Sequence, residues 1–273
     1  MLQKLLRGLL SAALLSGAAS ADSNLAGAVQ NPISSLVSVP LKFTFDNGAA
    51  NGDAGFLNIQ PVVPVTVGDW NLVNRFIMPI ANAPGGIPGL PTNPGIGSAA
   101  HPGGVFGLGD LNYTLFLSPV KPSGGVIWGV GPSITFPTAT DARLGSGKWS
   151  AGASAVALVQ PGWGTYGGLV RHLWSFAGDS SRRDVSQTLI EPFINYNLGD
   201  GWYVISDSVV TYDWMATAGN NWTVPVGGGF GKITKWGNQP VNLRTEAYYN
   251  VVRPTNGPEW TIGFTVQFLF PKS

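Results

Sequence analysis

Residues 259 to 270 alternate between apolar and small or polar side chains over twelve positions. Strand side chains point alternately to opposite faces, so Trp260, Ile262, Phe264, Val266, Phe268 and Phe270 share one face and Thr261, Gly263, Thr265 and Gln267 the other. The run is about twice the usual globular strand of roughly 5–6 residues and fits the tilted strand of about 9–11 residues that crosses a bilayer within a barrel. Similar alternation, bounded by turn residues, predicts about twelve strands, at 39–45, 55–67, 70–80, 107–118, 125–137, 147–160, 163–176, 185–197, 202–214, 221–233, 240–252 and 258–270. Pro61, Pro64, Pro132, Pro192 and Pro225 fall inside these runs, where each removes a ladder donor.

The connections between the runs alternate in kind. Gly68-Asp69, Pro119 to Gly124, Pro161-Gly162, Gly199-Asp200-Gly201 and Thr234 to Gln239 are compact turns, and the connections between them are on the whole longer. Bacterial barrels have an even strand number, short periplasmic turns and longer external loops. An even count with both termini periplasmic puts every compact turn on the periplasmic side. Trp70, Trp163, Trp202 and Trp236 fall beside compact turns, and Trp149, Trp174, Trp214, Trp222 and Trp260 beside longer loops, which predicts two aromatic girdles, one at each membrane interface. The expected fold is therefore all-β: a transmembrane antiparallel up-and-down β-barrel of about twelve strands over residues 39–273.

Composition agrees. Charged residues make up 11% of the chain, against about 25% in a soluble domain, and no run of about 18 apolar residues offers a helical span. Backbone in lipid must satisfy its own hydrogen bonds, so a closed barrel is the remaining architecture. The first residues carry Lys4 and Arg7, an apolar stretch from Gly8 to Leu15 and the small-x-small pattern Ala19-Ser20-Ala21, the pattern of a cleaved secretory signal over residues 1–21 and hence of export to the bacterial outer membrane. Without it, 13 basic residues face 14 acidic ones, and no nucleic-acid partner is indicated. The absence of cysteine removes thiol catalysis and cysteine-ligated metals.

Two segments stand outside the strand pattern. Residues 22–38 form an N-terminal periplasmic or plug segment, with apolar positions at near-helical spacing from Leu25 to Val37 that Pro32 interrupts. Residues 81–106 form a long Pro/Gly-rich loop, either a lid over the mouth or a mobile connection.

Runs such as Asn58-Ile59-Gln60-Pro61, Gly107-Leu108-Gly109-Asp110-Leu111-Asn112, Trp128-Gly129-Val130-Gly131-Pro132 and Phe136-Pro137-Thr138-Ala139-Thr140 resemble the outer-membrane barrel family associated with the MetA pathway of phenol degradation. Further matching runs are Trp174 to Gly178, Arg182 to Val185, Pro192 to Asn197, Trp222 to Gly229 and Ala247 to Val252, so the resemblance spans most of the chain beyond the signal. It implies a transporter-like barrel that admits small organic compounds, and it supplies no catalytic motif. The chain departs from the usual barrel ending in closing on Pro271-Lys272-Ser273, so Phe270 would have to serve the barrel-assembly machinery from an internal position.

If Trp260, Ile262 and Phe264 face lipid, the opposite parity faces the lumen. That places Asn58, Gln60, Asn71, Asn112, Thr114, Gln187, Asn195, Asn242 and Asn250 inside, together with the charged residues Arg75, Arg171, Glu191, Asp207, Arg244 and Glu246. Charges at membrane depth must face the interior or pair. These six are the candidate constriction residues, expected either to brace the wall as ion pairs, Arg171 with Glu191 and Asp207 and Arg244 with Glu246, or to select solutes. Twelve strands about 4.8 Å apart and tilted by about 40° give a backbone diameter of roughly 24 Å and an open lumen of about 10 Å. The expected function is passive uptake of small organic solutes, aromatic or apolar ones included, with outer-membrane lipids as the surrounding partner. No cofactor and no metal site is indicated.

Two other classes compete: a structural or adhesive barrel that transports nothing, and a lipid-modifying barrel enzyme. Nucleophilic catalysis needs a base beside a serine. Of the two histidines, His101 sits in the long loop, and His172 has Ser175 three positions on and so on the opposite face. No sequence feature points to a serine on a neighbouring strand, and no catalytic residue is expected. Gly227-Gly228-Gly229 lacks the Lys-Ser/Thr of a phosphate loop and reads as relief of crowding at a bend.

Overall fold

The computed structural model describes residues 25–50, 52–83 and 104–271. The signal-peptide expectation and most of the expected lid, residues 84–103, lie outside the described residues. Twelve spans cross the molecule: β1 (Val37–Asn47), β2 (Ala54–Ile59 and Val62–Val67), β3 (Trp70–Ala83), β4 (Val105–Leu108 and Leu111–Pro119), β5 (Val126–Phe136), β6 (Lys148–Val159), β7 (Gly164–Gly178), β8 (Ser186–Gly199), β9 (Trp202–Asp207 and Val210–Asp213), β10 (Trp222–Trp236), β11 (Gln239–Val252) and β12 (Trp260–Phe270). Each pairs antiparallel with its neighbours in sequence, and β1 pairs with β12 from Val37 opposite Phe270 to Asn47 opposite Trp260. The sheet is a closed up-and-down barrel, and the expected strand ends fall within three residues of the observed ones.

Three spans are broken, each where the chain offers a reason. Pro61 has no N–H, and the ladder resumes with Phe76 N donating to the Pro61 carbonyl at 3.0 Å. In β9 the ladder to β10 lapses between Ile205 and Thr211, opposite Pro225 and the glycines, and Ser206 Oγ bridges to the Gly227 carbonyl at 2.8 Å. In β4 the break at Gly109-Asp110 turns the Asp110 carboxylate inward, where it accepts Ser146 N at 2.7 Å, Ser146 Oγ at 2.8 Å and Ala139 N at 3.2 Å. That draws the 137–147 loop into the mouth and buries Leu144 against Phe56, Ala81 and Val105.

The surface is inverted relative to a soluble protein. Phe45, Val130, Val170, Ile190, Ile194, Val226, Phe230, Ile262 and Phe264 are exposed, while Asn58, Asn112, Thr114, Thr135, Asn195 and Asn242 are buried. Aromatic contacts form two layers. Trp70 with Trp128, Trp163 with Tyr166 and Tyr196, Trp202 with Phe230 and Trp236 with Phe268 lie by the tight turns. Trp149 with Phe136, Trp174 with His172, Trp214 and Trp222 with Tyr212 and Trp260 with Tyr249 lie by the loops.

Residues 25–30 form one and a half turns of helix that Pro32 prevents from continuing. The segment turns into the lumen at the tight-turn end. Gln160 Nε2 donates to the Gly27 carbonyl at 2.7 Å, Gln30 Nε2 donates to Asn197 Oδ1 at 2.8 Å, and Thr165 Oγ1 donates to Gln30 Oε1 at 2.9 Å. Ile33 reaches into an apolar cluster with Val73, Phe116, Val156, Leu158, Leu169, Leu189 and Phe193.

One of the tight seams lies between β4 and β5, where a Cβ on Gly131 would overlap the Leu115 carbonyl oxygen. Gly131→Val should destabilise the barrel by roughly 1–3 kcal/mol through overpacking, read as earlier urea unfolding in detergent. Gly162→Val, at a turn with open space around the glycine, should leave unfolding unchanged.

Candidate functional site: the lumen

Among the described residues two adjoining cavities meet in the middle of the barrel, and a third, of about 490 Å³, lies at the tight-turn end between residues 27–35 and the turns. Of the adjoining two, one, of about 170 Å³, lies against the N-terminal segment and is lined by Arg75, Arg171, Glu191, Asp207 and Arg244, with Phe116, Leu169, Leu189 and Phe193 on its apolar wall. The other, of about 100 Å³, lies towards the loops and is lined by Asp46, Asn58, Asp207, Glu246, Tyr248 and Arg253. Lys42, Gln60, Asp207 and Val209 border both cavities and mark the waist between them. Val209 follows the inward parity of Ile205, Asp207 and Thr211 on β9, which the break leaves in register.

Of the charged candidates, Arg244 and Glu246 pair as their shared face suggested, and Arg171, Glu191 and Asp207 do not pair with one another. Arg244 sits between two carboxylates, with Nη1 3.0 Å from Asp207 Oδ2 and Nε 2.7 Å from Glu246 Oε2. Tyr248 Oη donates to Glu246 Oε1 at 2.7 Å and accepts the Asp207 backbone N–H at 3.0 Å, which ties the triad to the wall. Arg171 instead reaches across the lumen from β7 to β4, where its Nη1 donates to Asn112 Oδ1 at 3.0 Å. Among the described residues Glu191 forms no salt bridge, and it shares its cavity with Arg75 and Arg171. The expected Arg171–Glu191 and Arg171–Asp207 pairs are therefore replaced by an Arg244 triad and an Arg171–Asn112 bridge.

Tyr203 packs its ring where Gly231 has no side chain, and passes a hydrogen bond to Asn242 Oδ1 at 2.8 Å. Asn242 in turn donates to Gln267 Oε1 at 3.0 Å. The glycines at 227 and 229 face the lumen strand by strand against Ala247 and Thr245 carbonyls that would overlap any Cβ, in keeping with their reading as relief of crowding. Buried carbonyl oxygens of Asn58, Gln187 and Asn195 have no protein partner among the described residues. Unpaired polar groups in a low-dielectric interior are costly unless water or a solute meets them.

Lys42, Asp46, Tyr203 and Arg253 are among the lumen residues that sequence reasoning passed over. Lys42 alternates with Leu41 and Phe43 and is found by the same parity rule; the proline before Leu41 obscured the run. At the loop end Lys148 Nζ meets Asp184 Oδ1 at 2.9 Å, and that ammonium holds the Asp184 carboxyl below the usual carboxylate range.

No family model and no curated protein sequence matches the chain. Its structure is similar to that of an outer membrane channel from Pseudomonas putida F1, with a TM-score of 0.61 and 18% identity over 86% of this chain and 94% of that one. It also resembles outer membrane phospholipase A from Escherichia coli (TM-score 0.48, 12% identity, 90% and 97% covered) and the Pseudomonas putida toluene transporter TodX (0.45, 9%, 89% and 93%). The fold is that of an outer-membrane barrel. The first likeness supports it over nearly the full length of both chains.

Arg244→Met would leave Asp207 and Glu246 facing one another without their cation. We expect a loss of roughly 3–5 kcal/mol in stability, as for a buried pair broken on one side. Adding Asp207→Asn and Glu246→Gln to Arg244→Met should recover most of it, measured by equilibrium unfolding in detergent.

Proposed function

We propose that the chain is a passive outer-membrane channel for small organic solutes, held closed at the tight-turn end by residues 25–36. The observation that carries this reading is a lumen with two contiguous cavities, whose lower exit is blocked by a short segment that the barrel wall does not include. The amide oxygens of Asn195 and Asn58 face these cavities without a protein partner and can accept a hydrogen bond from water or solute.

Size and lining bear on the solute. A dry cavity of about 150 Å³ accepts benzene, and the cavity that holds the charged candidates is about 170 Å³. Its wall is apolar on one side, and its polar side carries Lys42, Arg75, Arg171 and Arg244 against Glu191 and Asp207. With Arg244 held by its carboxylates and Arg171 by Asn112, Lys42 and Arg75 favour a solute that joins a ring-sized apolar body to a negative or hydrogen-bond-accepting group. The likeness to a bacterial outer membrane channel agrees with a channel, and the resemblance to the phenol-degradation barrels agrees with small organic solutes. In this reading the tight turns and both termini are periplasmic, the two aromatic layers sit at the membrane interfaces, and Phe270 on β12 is what the assembly machinery meets.

Deletion of residues 25–36 should raise single-channel conductance in planar bilayers several-fold while the barrel still migrates as a folded species. Gln30→Leu, which breaks the bonds to Asn197 and Thr165, should give frequent openings between closed and open levels. Arg75→Gln with Lys42→Gln should move the reversal potential in a salt gradient towards cation preference. A folded deletion variant with no added conductance would sink the channel reading and return the weight to a structural barrel.

A further inference from the structure

The outer wall carries a second constellation, unrelated to the lumen. His172 on β7 lies directly opposite Thr188 on β8, and Ser186 stands one diagonal step away. His172 Nδ1 is 2.7 Å from Thr188 Oγ1, and its Nε2 is 3.4 Å from Ser186 Oγ. Trp214 Nε1 donates to the same Thr188 oxygen at 2.9 Å, fixing the hydroxyl that faces the imidazole. Trp174 and Trp214 flank the imidazole, with ring centroids 4.0 and 6.3 Å away. Ser175, the serine nearest to His172 in sequence, is engaged elsewhere: it donates to Asp184 at 3.2 Å and accepts Val185 N at 3.0 Å.

We propose that Ser186, His172 and Thr188 form a nucleophile–base–orienter array on the lipid-facing wall, acting on carboxylic esters of acyl chains. Each member has the position its role requires: a hydroxyl on one imidazole nitrogen, and a hydrogen-bond acceptor on the other. With a proton on Nδ1 held by Thr188 Oγ1, Nε2 is the free base that faces Ser186. The Ser186 hydroxyl adds to the ester carbonyl as its proton passes to Nε2. The C–O bond to the alcohol breaks, and the alkoxide leaves with that proton. Water, deprotonated by Nε2, then releases the acyl group as a fatty acid and restores Ser186.

The depth of the array selects the ester. Val170 and Ile190, one step towards the barrel middle, are exposed apolar residues, and Trp174 and Trp214 lie in the loop-end aromatic layer. That boundary between apolar band and aromatic girdle is where glycerolipid and other acyl esters sit, between chain and head group. The opposite face of the same strand pair holds Arg171 and Glu191, so the array is separable from the pore.

The test uses the purified full barrel in detergent micelles, with 4-nitrophenyl laurate as substrate and a long-chain fluorophosphonate as label. A positioned base contributes about 10²–10⁴-fold, so we expect slow hydrolysis above the micelle background, with a covalent label on the peptide containing Ser186. Ser186→Ala should abolish both, and His172→Gln should lower hydrolysis at least a hundredfold. Thr188→Val should lower the rate and Thr188→Ser should restore it, which a merely structural role for this hydroxyl would not do. Retained migration as a folded barrel certifies each variant. A folded wild-type barrel with no label on Ser186, or hydrolysis that persists in Ser186→Ala, would overturn the proposal.

Discussion

The structure depends on the rule that no backbone N–H or C=O may be left facing hydrocarbon. The seam between β1 and β12 answers it, running through eleven consecutive pairs from Val37 opposite Phe270 to Asn47 opposite Trp260. Without that seam both strands would be open edges in lipid. Once it closes, side-chain parity follows along the whole wall, and the apolar set from Phe45 to Phe264 turns outward. Nothing in the interior could hold this arrangement if the ring were open.

Closure creates a second demand. A ring of twelve strands encloses more space than its own side chains fill. Here the space is divided by means. The tight-turn half is filled by the Ile33 segment and an apolar cluster, the middle by the Arg244 triad and its tyrosines, and the mouth by Leu144 on a loop that Asp110 pulls inward. The roughly 10 Å open lumen expected from strand number is therefore divided into separate cavities, because strand number fixes the cylinder and says nothing of what enters it.

Strand count, strand ends, the outward face and the alternation of turns and loops were legible because each depends on period-two patterning and turn residues along a single stretch of chain. Parity also put Arg75, Arg171, Glu191, Asp207, Arg244 and Glu246 on the face that lines the cavities, though it passed over Lys42 and Asp46. It could not tell every partner. Arg171 meets Asn112 three strands away across the lumen, a contact set by barrel diameter and side-chain length. Ser186 and Thr188 were missed beside His172 because that contact needs the register of β7 on β8, and the 179–185 connection is too long for its turn chemistry to dictate one. The break in β9 was likewise invisible without knowing that Pro225 and the glycines lie opposite it.

That register is itself a consequence of the membrane. Sliding β7 by one residue would carry Arg171 to the lipid face and His172 into the lumen. Arginine at the lipid face near mid-bilayer costs roughly 2–4 kcal/mol, and the slip would also cost the bond to Asn112. Glu191 on β8 imposes the same penalty from the other strand, so the two interior charges hold the hairpin in one alignment although they do not bond to each other. The alignment that keeps them inside is the one that sets Thr188 opposite His172 on the outside. The polar lining of the lumen and the geometry of the outer wall are thus two faces of a single constraint, and a substitution that lets the hairpin slip would disturb both, whereas one confined to a single parity would disturb only its own.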